Sequence, residues 1–135
     1  MNLDEDYCSF EVAKLLKEKG FDWMCNGYYN KDDENSEPYF GDGEGADNWN
    51  NQAPSVKDLW CSAPTHQMAM KWLREKGIFV EITAISLEII TFEFEIKVID
   101  KEHGFAFYPK SGCNEKPTYE EAVEAALKYC LTELI

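Results

Sequence analysis

The sequence predicts an α+β fold: an antiparallel meander of three to four strands with three helices packed on one face, in a single domain spanning 1–135. Three observations predict it. Residues 78–83 and 90–98 each place apolar side chains at every second position, the period of strands with one buried and one wet face. Three other segments carry apolar stripes at helical spacing, bounded by start and stop residues. The strand segments are joined by connections too short for parallel crossovers.

The first helix is expected from a Ser9 N-cap to about Lys19. Val12, Leu15, Leu16 and Lys19 trace one stripe, and Phe10 and Ala13 widen its apolar face. Gly20 occupies the position after the helix, where a left-handed residue ends it. Lys14, Lys17 and Lys19 complement the C-terminal dipole. A short aromatic strand is expected from about Trp23 to Tyr29, weakened by Gly27.

Residues 31–54 differ from the rest of the chain. They are rich in Asp, Glu, Asn and Gly, nearly free of aliphatics, and contain Lys31 as their one basic residue. This is the composition of a long acidic loop. Tyr39, Phe40 and Trp49 punctuate it, so part of it is expected to dock on the body.

A second helix is expected with Ser62 as N-cap and Pro64 in its first turn, where the missing N–H has no helical partner. Met68, Trp72 and Leu73 share its apolar face, and Gly77 ends it. Ile78, Val80 and Ile82 then define one strand, and Ile90, Phe92, Phe94, Ile96 and Val98 a second. Residues 102–104 turn the chain into a third strand, expected to end at Pro109. Thr118, followed three residues later by Glu121, makes a capping box for a last helix reaching the C-terminus.

Composition limits what such a domain does. With 44% apolar and 14% aromatic residues, the 135-residue chain can bury a core without covalent staples. Its formal net charge of −13 repels nucleic acid and anionic membranes. The expected partners are therefore basic proteins, cations, or a ligand in a local pocket whose field differs from the average, with no direct nucleic-acid binding and no membrane association. Oligomeric state stays open, a homodimer being the commonest symmetric assembly. Five widely spaced cysteines lack any Cys-x-x-Cys pair, and no apolar segment follows Met1. Free thiols without an export signal imply a cytoplasmic protein.

No catalytic constellation, metal site or cofactor is expected. Calcium favours oxygen-rich loops, but an EF-hand needs an acid or amide at position five and Gly at six. Starting from Asp42 those positions hold Ala46 and Asp47; starting from Asp32 they hold Ser36 and Glu37. The cysteines carry no local signature pairing them with His66 or His103, although Cys8 adjoins a helix start, where a thiol pKa can fall. Glu93 and Glu95 are expected on the wet face of the meander. The candidate ligand site is the start of the second helix, where Ser62, Thr65, His66 and Gln67 would form a phosphate or carboxylate cradle. The candidate partner anchors are Tyr39, Phe40 and Trp49.

Three segments carry a resemblance: CSFEVAKLLKEKGF at 8–21, SAPTHQMAMKWLRE at 62–75 and YEEAVEAALKYCL at 119–131. Together they resemble small uncharacterised proteins of phages, prophages and mobile elements of Bacteroides-like gut bacteria. The resemblance covers the three helices and implies a setting, a bacterial cytoplasm, without an activity or site residues. The leading expectation is a non-enzymatic binding or interaction protein, an accessory factor of a phage or mobile element. The alternatives are a protein that sequesters a nucleotide signal, an acidic DNA-mimic inhibitor, and a small hydrolase using a thiol or a carboxylate-bound metal.

Overall fold

The computed structural model describes residues 6–32, 37–40, 46–51, 60–86, 88–112 and 114–135. The fold is α+β, with three α-helices and two antiparallel three-stranded sheets among the described residues. The chain divides into two compact units, 1–67 and 68–135.

In the first unit, α1 (Phe10–Glu18) is capped by Ser9, whose hydroxyl accepts from the Val12 N–H at 3.2 Å. Gly20 follows the helix with φ of 90°. The expected aromatic strand is shorter and later than its composition suggests: β1 is Gly27–Asn30. Cys25 makes only an isolated backbone bridge to Asp47. Inside the acidic segment, Tyr39–Phe40 form β2 and Trp49–Asn51 a single 3₁₀ turn. Residues 33–36, 41–45 and 52–54 of that segment lie outside the described residues.

Ser62 does not cap the second helix. Residues Trp60–Ala63 instead form β3, which pairs with β1 in the register Tyr28↔Ser62 and Tyr29↔Cys61. The sheet order is β2-β1-β3. Four backbone positions of β3 thus find ladder partners on β1, a gain that local helix propensity cannot see. The chain leaves the strand through Pro64, and helix α2 begins at His66 and ends at Glu75. The boundary between the two units falls within this helix.

Helix α1 packs on β3. The packed layer is built on Ala13, Tyr29, Cys61 and Ala63, with Tyr7 and Phe10 against it. The Tyr29 hydroxyl is buried and donates to the Cys8 carbonyl at 2.6 Å, which satisfies the one polar atom this ring brings inside.

In the second unit, β4 (Ile78–Ser86), β5 (Ile90–Asp100) and β6 (Phe105–Lys110) form the expected meander, in the order β4-β5-β6. Pro109 does not end the third strand. Ile96 pairs with Lys110 and Val98 with Phe107, so Lys97 stands opposite both Tyr108 and Pro109 in a β-bulge. A bulge tolerates a residue with no N–H to donate.

Helix α3 (Tyr119–Tyr129) packs on β4 and β5, and Thr118 Oγ1 caps it by accepting from the Glu121 N–H at 3.1 Å. The chain then continues as a π-helical turn over Cys130–Leu134. Phe94 and Ile96 are buried in the sheet, as are Ala122, Val123, Ala126, Leu127, Cys130 and Leu131 in the helical segment. Glu93 and Glu95 lie half-exposed on strand β5, with Glu95 directly opposite Glu81. The helices therefore do not share one sheet face: α1 packs on the first sheet and α3 on the second.

Candidate functional site

Side chains alternate along a strand, and residues directly opposite in an antiparallel ladder share a face. Tyr29 and Cys61 therefore face α1. Tyr28, Tyr39, Ser62, Asn30 and Trp60 face the other way. On that outer face, the Tyr28 ring stacks with Tyr39 at 5.8 Å between centroids and lies 5.2 Å from Trp60.

Trp49 completes the group, stacked on Tyr28 at 4.3 Å and edge-on to Trp60 at 5.7 Å. These separations and angles are those of favourable aromatic pairs.

What holds Trp49 there is a short polar scaffold. Cys25 and Asp47 exchange two backbone hydrogen bonds, at 2.8 and 3.0 Å. Asp47 Oδ1 accepts from the Asn48 N–H, and Asn48 Oδ1 from the Asn50 N–H, which tightens the turn. The Trp49 indole N–H donates to the Cys25 carbonyl at 2.8 Å. Asn50 then clamps the turn to the sheet: its Nδ2 donates to the Phe21 carbonyl at 2.9 Å, and its Oδ1 accepts from the Ser62 N–H at 2.8 Å. The side chain of Asn50 thus joins two distant segments at once.

Of the three expected aromatic anchors, Tyr39 and Trp49 meet through Tyr28. Phe40 points to the other face, where it packs edge-on against Tyr7 at 5.2 Å and close over Gly27. Tyr39 is 43% and Phe40 52% exposed, while Trp49 is half-buried. Sequence reading missed Tyr28 and Trp60 as members of this group. The signal was present as alternation within two short segments, but their pairing joins residues about thirty positions apart.

The expected cradle at the start of α2 is differently built. Ser62 is fully buried in β3 and faces the Cys25 thiol. Thr65 is half-buried in a bridge with Tyr7, and Gln67 is exposed. His66 is 4% exposed, and its backbone N–H donates to the Asp6 carbonyl at 2.8 Å. An anion at this helix start would therefore find the first N–H already engaged and Ser62 enclosed.

Burial also governs the thiols. It pushes Cys25 up to about 12 against the hydrogen bond from Ser62, and Cys130 to about 12. Cys61 rises to about 11 for the same reason, with Lys17 and Lys14 pulling it down. Such thiols are poor nucleophiles at neutral pH. Cys8 is buried, with a ring nitrogen of His66 within 4.8 Å of its sulfur. Cys113 lies outside the described residues, as do Asp42 and Glu44 of the acidic segment. His103, in the turn before β6, pairs with Asp100 at 2.9 Å on the surface, and that pairing holds the Asp100 carboxyl below its ordinary range.

Comparison with family models, with curated proteins and with solved structures finds no match. Among the described residues, no helix is long and apolar enough to cross a membrane.

Proposed function

We propose that this chain is a non-enzymatic binding protein, an accessory factor of a phage or mobile element. In this reading it meets a basic protein partner in the bacterial cytoplasm through the outer face of the β2-β1-β3 sheet. The observation that carries the reading is the group of Tyr28, Tyr39, Trp49 and Trp60, gathered on one face and presented by a hydrogen-bonded scaffold. Large rigid rings contribute much of the energy at protein interfaces while losing little side-chain freedom. The exposed carboxylates Asp32, Glu37 and Asp47 flank the same strands and turn. Together with the charge of −13, they favour a partner of opposite sign and speed its approach.

The test compares capture of partners from a Bacteroides-like lysate by wild type and by Tyr39→Ala, followed by titration of the purified partner. Tyr39 is exposed, so its loss leaves the fold intact. The expected result is a basic partner whose affinity drops at least tenfold in the variant and falls with added salt. Unchanged affinity in Tyr39→Ala removes the aromatic face as the interface.

A further inference from the structure

Residues 1–67 contain five lysines and no arginine against fourteen Asp and Glu. Three of those five, Lys14, Lys17 and Lys31, line one cavity of about 180 Å³ together with Phe10, Trp60 and Cys61. Among the described residues, Glu18 is the one carboxylate in the lining. The described lining thus carries a charge opposite in sign to that of the unit around it.

The lysines arrive by two routes. Lys14 and Lys17 are one turn apart on α1, where like charges are neighbours and repel. Lys31 comes from the turn directly after β1. Lys17 is already engaged, since its Nζ donates to the Trp60 carbonyl at 2.7 Å and ties the helix to the start of β3. Lys14 Nζ stands 5.5 Å from the Phe10 ring centroid, which places its charge beside the cavity wall.

From this convergence we propose that the cavity binds a small organic phosphate. Lys14 and Lys31 take the phosphoryl group, and the Phe10 ring forms the wall for its carbon body. Lysine ammonium groups bind phosphate as point charges. The volume lies below the roughly 300 Å³ at which pockets for drug-sized ligands begin, which restricts the occupant to a phosphate ester with a small body. The site is distinct from the start of α2 and does not rest on the protein-partner reading.

The test is calorimetric titration of the full chain with four probes: inorganic phosphate, ribose 5-phosphate, AMP and adenosine. Saturable binding is expected for ribose 5-phosphate, weaker binding for AMP, whose nucleoside body exceeds the cavity, and none for adenosine. The double variant Lys14→Gln/Lys31→Gln is expected to weaken binding at least tenfold. Both side chains are exposed, and circular dichroism checks that the fold is retained. Lys71→Gln, an exposed lysine of α2, serves as the charge control and is expected to bind like wild type.

Failure of every phosphate-bearing probe to saturate overturns the proposal, as does a double variant that binds like wild type. Inorganic phosphate binding as tightly as the esters removes Phe10 from the site and overturns the organic class. Adenosine binding as tightly as AMP overturns the lysines' role.

Discussion

Single residues show how burial sets chemistry in this protein. Cys25, Cys61 and Cys130 sit in different segments, yet burial raises all three thiols from the ordinary value of 9.0, Cys61 to about 11 and the other two to about 12. An unfolded thiol loses its proton near pH 9, whereas the folded chain holds these protons to about pH 11 or 12. Above pH 9 the unfolded state therefore binds fewer protons, and stability falls as pH rises from 9 toward 11–12. Chemical denaturation at pH 7 and pH 10.5 should show this loss, and Cys130→Ala should reduce the difference between the two pH values. At pH 7 these three thiols should resist alkylation until denaturant is added. The positions of the cysteines were plain in the sequence. Their reactivity was not, because it depends on which elements cover them.

At the scale of elements, the junction between α2 and β4 rests on one glycine. Gly77 has φ of 81°, and a Cβ there would stand 2.6 Å from the Ile99 carbonyl oxygen. The Ile99 N–H donates to the Gly77 carbonyl at 2.9 Å, so the strand β5 backbone is fixed against the turn. Gly77→Ala should therefore cost the roughly 1–3 kcal/mol of a left-handed non-glycine residue, with a backbone clash added. Gly20, at φ of 90°, has open space around its missing Cβ, so Gly20→Ala should cost only the conformational part. Urea denaturation of the two variants separates these terms, and equal losses would mean that the close approach to Ile99 does not matter. Both glycines were legible as helix stops after a run of lysines. Only Gly20 was fully described by that role, because the approach of Ile99 to Gly77 depends on a pairing twenty-two residues away.

For the whole molecule, a net charge of −13 means that the folded state works against its own repulsion. Raising the salt from about 0.01 M to about 0.1 M shortens the screening length from roughly 30 to 10 Å. The melting temperature should therefore rise across that range, as measured by circular dichroism. The Lys14→Gln/Lys31→Gln variant, two charges more negative, should show the steeper rise. A flat profile would mean that the carboxylates are spaced widely enough to repel little.

The sequence by itself determined the fold class, the three helices, the meander and the two working caps, Ser9 and Thr118. Each of these follows from interactions within a few residues: a period of 3.6 or 2, a hydroxyl three residues from an N–H, a short turn. Tertiary structure alone decided that there are two sheets, that Ser62 belongs to a strand, and that Tyr28, Tyr39, Trp49 and Trp60 share a face. The lysine-lined cavity belongs with these: Lys14 and Lys17 read as dipole partners of α1, and Lys31 as a stray cation of an acidic loop. The physical reason is common to all of them. A β-ladder or a cavity wall is formed by residues far apart in the chain, and a short segment carries no record of which partner it will meet.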